Sequence, residues 1–338
     1  MKKLLTKLFT VAMSVLLLFS VTACAEPKKD VSIKYYAEAS DLIPALKQGA
    51  QTIGILPEPA VSKLTKVVAT DYSVKLSVQT LYGGDYPQAV IVAKKSVIES
   101  DANFVKAMIN GLTTGNDWLK NNIADGVNAI NAHLEQGVTA SLSAGVIDAN
   151  TIDRCNIYFE SATDAKADIN AYISDILAVE ESAVKTVSND FFYDGTGETS
   201  LPETNGYTVV APDGAPALAL AQAIATNKGF GVKNDDAMTY KIVSASTIAT
   251  YVKNPDATRL ADFVILPVNA ATKLVGDASI YKMLGVVTHG NLYIVSNQEI
   301  NTVNDLKGKT IGCFQQGNVP DLMLRCVLKK NNITFAQI

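Results

Sequence analysis

Histidine is nearly absent from this 338-residue chain: only His133 and His289 occur, which leaves little material for imidazole acid–base chemistry or a histidine metal centre. Arginine is confined to Arg154, Arg259 and Arg325. None falls on a loop considered below, so the bidentate clamp that a sulfonate or carboxylate often receives is not evident. The cysteines Cys24, Cys155, Cys313 and Cys326 show no CxxC spacing, which speaks against both a zinc site and a disulfide framework. The last three are expected to lie buried and reduced. No charge of one sign dominates either, since the net charge is -4 with 18% charged residues, and this gives no reason to expect a nucleic-acid partner. No metal or cofactor is implied.

What is present is the composition of an ordinary globular protein, 48% hydrophobic and long enough for two lobes. One apolar run stands apart, from Leu8 to Phe19, behind Lys2, Lys3 and Lys7 and ahead of Val21-Thr22-Ala23-Cys24. It is shorter than the about 20 residues that a membrane span needs. The pattern is that of a secretory signal ending in a lipobox, where small residues precede a cysteine that is cleaved and lipidated. Residues 1–23 are therefore expected to be a signal peptide, with residues 24–29 forming the lipidated Cys24 and its tether. The mature chain would sit on the outer face of the cell membrane.

Short apolar runs bounded by turns read as buried strands: Thr208 to Ala211, Phe263 to Leu266, Leu292 to Val295, Thr310 to Phe314, Thr52 to Leu56 and Ala89 to Ala93. Ala215 to Ala225, Asp321 to Lys330, Asp41 to Gly49 and Ala102 to Asn121 read as helices. This alternation predicts an α/β fold of doubly wound lobes, with ligands at the carboxyl ends of the strands. The span Ala124 to Val187 has apolar repeats at helical spacing and no convincing strand, which predicts a helical cap. Trp118 shares an apolar helix stripe with Phe104 and Leu112, and His133 reads as a surface residue. Asn189 to Asn205, rich in Gly, Thr, Glu and Pro, reads as a solvated linker. The pairs Glu180-Glu181 and Asp235-Asp236 read as solvated faces.

Two blocks carry a family resemblance. YTVVAPDGAPALALAQAI (Tyr207 to Ile224), ADFVILPVNAATKLVG (Ala261 to Gly276) and NTVNDLKGKTIGCFQQGNVPDLMLRCVLKK (Asn301 to Lys330) resemble the opening half of an ABC-importer solute-binding protein. The group in question handles thiamine precursors, taurine, alkanesulfonates and nitrate. VSIKYYAEASDLIPALKQGAQTIGILPEPAVSKL (Val31 to Leu64) and DYPQAVIVAKKSVI (Asp85 to Ile98) resemble its closing half. The order is that of a circular permutant, in which NNITFAQI at the tail is expected to run into DVSIKYY at Asp30.

The resemblance implies a periplasmic binding protein type II fold, circularly permuted. Lobe 2 would comprise residues 30–87 and 290–338, and lobe 1 residues 88–194 and 207–289. Hinges would lie near 86–92 and 287–295, with 195–206 as the linker joining the family's usual termini. The resemblance further implies a monomer that captures a small-molecule solute and delivers it to an ABC permease, without catalysis. A sensory or adhesive lipoprotein with the same fold and no transporter is the alternative.

The ligand site is expected where loops of the two lobes meet. Asp213, Gly214 and Ala215 follow a strand and open a helix whose first turn Pro216 presets, and Gln315, Gln316 and Asn318 repeat the design in the other lobe. Two helix N-termini there would hold an anionic or carbonyl-bearing solute, helix capping being the other role open to Asp213 and Asn318. Pro267 and Asn269 end a strand at a position that contacts solute in the resembling proteins. Their counterpart is Glu58, stiffened by Pro57 and Pro59. Its carboxylate would accept from a ligand N–H, cap a helix or make a lobe-to-lobe contact. Glu38 and Ser40 follow Tyr35 and Tyr36 at a strand-to-helix turn, where alternation leaves one tyrosine to stack on a planar ligand. The hinges add His289, Asn291 and Tyr86, with strand packing as the alternative for each. Asp213, Glu38 and Glu58 together lean toward a neutral or nitrogen-bearing heterocycle, pyrimidine-like or similar, and against nitrate or phosphate.

Overall fold

The apolar runs assemble into two six-stranded sheets, each flanked by helices. The computed structural model describes residues 29–195, 206–226, 230 and 238–338. The expected signal peptide, Cys24, the pair Asp235-Asp236 and most of the 195–206 linker lie outside the described residues. The first sheet contains β1 (Val31–Tyr36), β2 (Ile53–Pro57), β3 (Ser73–Ser77), β10 (Leu292–Ser296), β11 (Thr310–Phe314) and β12 (Phe335–Gln337), in the order β12-β1-β11-β2-β10-β3. The second contains β4 (Pro87–Lys94), β5 (Ile157–Ser161), β6 (Thr208–Pro212), β7 (Thr239–Val243), β8 (Phe263–Pro267) and β9 (Tyr281–His289), in the order β5-β9-β4-β8-β6-β7.

The central strands are buried on both faces, which is why they read as continuous apolar runs and not as alternating ones. Three of them, β2, β6 and β8, end on a proline: Pro57, Pro212 and Pro267. Proline has no N–H to give to a ladder, so the strand stops there and the chain turns into a helix. The helices that follow are α2 (Ala60–Lys63), α9 (Ala215–Leu218) and α11 (Val268–Val275). After β1 and β11 come α1 (Ala39–Lys47) and α12 (Val319–Lys330). The remaining helices used below are α3 (Val78–Tyr82), α5 (Ala102–Asn121), α7 (Ala149–Cys155), α8 (Lys166–Leu177) and α10 (Ala221–Ala225); α4 (Lys95–Ser100) and α6 (Ile123–Ala132) pack beside α5.

The chain passes between the sheets at two places. One runs from β9 through Gly290 and Asn291 into β10; the other runs from β3 through α3 and Tyr86 into β4. The crossings touch, and a Cβ at Gly290 would meet the Tyr86 ring at 2.6 Å, so only glycine permits the approach.

Strand pairing divides the chain unevenly. None of β1 to β5 pairs with another of these five; each finds its partners among β8 to β12. Both sheets are thus interleaved from the part of the chain before residue 196 and the part after residue 205.

Three expectations are corrected. The span Ala124 to Val187 does contain a strand, β5, set against β9. Asn156, at φ 53, ends α7, and Ile157, Tyr158 and Phe159 then supply β-favouring side chains in a stretch too short to register as a period. The helix expected over Ala215 to Ala225 is broken into α9 and α10. Finally, Ile338 does not lead into Asp30. β12 and β1 run side by side and parallel, with Val31 opposite Phe335, because the free edge of β1 offers a ladder that the tail fills. Asp30 instead meets Thr334, whose backbone N–H and hydroxyl both donate to Asp30 Oδ2 at 2.9 Å.

Phe104 and Leu112 are buried and Trp118 is half-buried against the same core. Cys155, Cys313 and Cys326 are buried and unpaired. Among the described residues no helix is long and apolar enough to cross a membrane, and no cluster of histidine, cysteine and carboxylates is disposed to hold a metal ion.

Candidate functional site

The loops at the carboxyl ends of the two sheets meet. Asn269, in the first turn of α11, places its Nδ2 3.4 Å from Gly317 O and 3.4 Å from Asn318 Oδ1 on the loop between β11 and α12. Asn269 is only 4% exposed, and its Oδ1 has no hydrogen-bond partner among the described residues. Pro267 ends β8 directly before it.

Asp213 leaves β6 on the neighbouring strand. Its Oδ2 accepts the Ser141 backbone N–H at 2.7 Å, while its Oδ1 is buried without a hydrogen-bond partner among the described residues. Burial pushes its carboxyl above the usual range, against the bonds from Ser141 and Gly214 and against the charge of Lys63, which ends α2 beside the other sheet. Gly214 takes φ 116, a conformation that side chains disfavour, and so turns Ala215 and Pro216 into α9.

The two helix N-termini expected to hold an anionic or carbonyl-bearing solute differ in length, α9 having four residues and α12 twelve. Helix α9 is too short to carry much of a dipole. At α12 two of the loop's donors are used within the loop and helix: Gly317 N–H donates to Asp321 Oδ2 at 2.9 Å and Asn318 N–H to Gln315 O at 2.9 Å. Asp321 is fully buried, takes the Tyr35 hydroxyl on Oδ1 at 2.7 Å and lies 3.5 Å from Arg325. Asn269 Oδ1 at the meeting place and Asp213 Oδ1 at the end of the adjacent strand are acceptors without a partner among the described residues.

The other expected residues are distributed as follows. Gln315, at φ 53, donates from Nε2 to Glu38 Oε2 at 2.8 Å, and Glu38 caps α1 in a reciprocal box with Asp41. Asn318 is the N-cap residue of α12, without a side-chain cap bond. Gln316 turns away to Gln337 at 3.0 Å, and Ser40 is exposed. Glu58 is 1% exposed and makes the lobe-to-lobe contact: Arg154, on the helix that leads into β5, reaches its Oε1 at 2.6 Å, and Ser62 donates to it from backbone and hydroxyl. Ser62 with Thr151 at 2.9 Å and Lys66 with Asp148 at 2.8 Å extend this contact.

Asn291, Tyr86 and His289 are taken up by the crossings. Every polar group of Asn291 is bonded within the protein, to Gln88, Cys155 O and the Glu58 N–H. Tyr86 packs between Tyr82 and Tyr172. His289 stacks flat on Tyr158 at 3.6 Å, with Nε2 3.2 Å from Glu160 Oε2. That distance suggests an ion pair, but burial lowers the His289 pKa to about 4 despite Asp85 and Asp168, so the ring is neutral and its Nε2–H donates to Glu160.

A pH dependence follows. The unfolded chain protonates His289 near its ordinary value of 6.5, while the folded state resists down to about 4, so stability is present above 6.5 and falls as the pH drops through that window. Thermal melts from pH 7 to pH 4 check this: His289→Gln, which keeps a donor for Glu160, is expected to flatten that part of the profile.

Sequence reasoning did not identify Arg154, Ser141 or Lys63. Arg154 lies 96 residues from Glu58, and no local pattern announces such a pairing. A hollow of about 310 Å³, lined in part by Gln51, Gln298 and Lys309, opens at the amino ends of β2 and β11, the edge opposite to these loops.

Residues 271–338 match a family model described as NMT1/THI5 like. No curated protein matches the chain. Among solved structures, the oligopeptide-binding protein AppA from Bacillus subtilis, in complex with a nonapeptide, is similar over 76% of this chain and 54% of that one, at 9% identity and a TM-score of 0.28. The chain thus spans about half the length of AppA, and a likeness of that size adds nothing to the strand order already described. The NMT1/THI5-like match thus falls on the C-terminal part of a mixed α/β fold with two six-stranded sheets.

Proposed function

We propose that the protein captures a small polar organic solute bearing N–H donors between its two lobes and delivers it to an ABC permease. One observation carries the reading: Asn269 Oδ1, where loops of both sheets meet, and Asp213 Oδ1, at the end of the adjacent strand, are buried acceptors without partners among the described residues. A buried polar group left unmade costs about 1–3 kcal/mol, and a solute that donates to both oxygens removes that cost. Arg154 and Arg325 are committed to buried carboxylates, which argues against a sulfonate, taurine or nitrate. A neutral or nitrogen-bearing heterocycle fits the acceptors.

Function then requires no covalent chemistry. Solute that binds better between closed lobes than open ones shifts the population toward closure about the two crossings, and the closed form is what a permease reads. The lipobox ending at Cys24 motivates a lipid anchor on the outer face of the membrane, with the protein acting as a monomer. The head and tail of the chain sharing one sheet is in keeping with a permuted gene order.

A thermal-shift screen tests the reading with amines, nucleobases and vitamins on one side and sulfonates and nitrate on the other. A one-site ligand at 100 times its dissociation constant adds about 2.7 kcal/mol. Donor-bearing heterocycles are expected to raise the melting temperature; a response confined to the anions, or to none of these, would overturn the assignment. Asp213→Asn gives a second check. Because burial raises the folded-state pKa of Asp213, its ionised form is a destabilising element at neutral pH, and the variant is expected to melt higher without ligand and to bind more weakly by calorimetry.

A further inference from the structure

We infer that the chain is two mutually completing halves, residues 29–195 and 206–338, held together by strand insertion, so that the later half of a second copy is also a fitting partner for the earlier one. The strand ladders carry this. β1 lies between β11 and β12, β2 between β11 and β10, and β3 on the outer side of β10. In the second sheet β4 lies between β8 and β9, and β5 on the outer side of β9. Every ladder of the earlier half is made with the later half and none within itself. The later half keeps ladders of its own, β6 with β7 and with β8.

Side chains follow the same division. The fully buried Ile33, Ile55 and Ile91 of the earlier half share one apolar core with Ile311, Ile294 and Ile265 of the later half. Polar contacts also cross between the halves: Tyr35 with Asp321 and Gln88 with Asn291, both half-buried, and Tyr207 with Asp101, buried. An edge strand whose N–H and C=O groups are unpaired is a template for another chain, and the later half alone would present several such edges. The geometry of each slot is set by sequence, so it accepts the matching half from the same chain or from a second copy alike. Covalent linkage through residues 196–205 raises the local concentration of the chain's own half and makes the single-chain assembly the favoured one.

The test uses the full-length folded protein with a protease recognition sequence placed within residues 196–205, cut to completion. The two pieces are expected to co-elute in size-exclusion chromatography as one species of the uncut size. They should melt in one transition whose midpoint rises with protein concentration, whereas that of the uncut protein does not. Cut protein unfolded and refolded together with an isotope-labelled cut preparation should give hybrid assemblies of labelled and unlabelled halves in native mass spectrometry. Separate elution of the pieces, two independent transitions, or refolding without hybrids would overturn the inference. None of these readouts involves a solute, so the result is independent of the proposed binding function.

Discussion

Replacing Arg154 by methionine is expected to lower the stability of the folded protein by about 3 kcal/mol, because it strips the partner from a carboxylate that has no water to fall back on. The side chain of Glu58 is entirely buried, whereas that of Arg154 remains 35% exposed. The desolvation penalty therefore falls on the acid, and the loss comes from stranding its charge and not from any strength of the pair itself. Ser62 would still donate to it from N–H and hydroxyl, which places the figure at the low end of the range for broken buried pairs. Urea unfolding of Arg154→Met, Glu58→Gln and the double variant measures this: the double variant should recover most of what the single arginine change loses. A single Arg154→Met with wild-type stability would show that the pair does not behave as a buried one.

Arg325→Met is the second large effect, expected at about 3–5 kcal/mol. Arg325 is 5% exposed and donates to Val179 O and Glu180 while lying beside the fully buried Asp321. Val179 and Glu180 follow α8, and the chain from there packs against β9, so this side chain ties α12 of one sheet to the flank of the other. Without it Asp321 keeps only Tyr35 and Gly317 as donors. Asp321→Asn alone leaves Arg325 to Glu180, and the two changes together should cost much less than their sum. Additive losses in equilibrium unfolding would show that the two residues act separately. Because Asp321 Oδ2 fixes the Gly317 N–H, the Arg325 variant should also loosen the loop that Asn269 reaches. A fall in solute affinity alongside the fall in stability is the expected sign of that link.

Six of the twelve described strands were legible in the sequence, because buried runs such as Phe263 to Leu266 and Thr52 to Leu56 are densely apolar and end at a proline, whereas the more exposed β3 and β7 were not read. Nor was β5, since five residues between two helices leave no room for a period to show. The site was legible at the level of loops. Asn269 and Asn318, named from strand ends, are brought together, and Glu38 finds Gln315. Individual roles were harder to read, because they depend on partners supplied from distant segments. The carboxylates of Glu58 and Asp213 look alike along the chain. One is neutralised by Arg154, and the other keeps an oxygen without a partner. Glu180, which read as part of a solvated face, is drawn to Arg325 for the same reason.

The uneven division of strand pairing has a consequence during synthesis. A ribosome delivers β1 to β5 before any strand they can join, and the first possible partner, β8, begins at Phe263. At ordinary elongation rates of roughly 5–20 residues per second, the nascent segment waits on the order of tens of seconds with its apolar strands uncovered. Domain-by-domain folding in the order of translation is therefore closed to this polypeptide. Its ladders form late and over long sequence separations, in the slow regime where chaperone protection matters most.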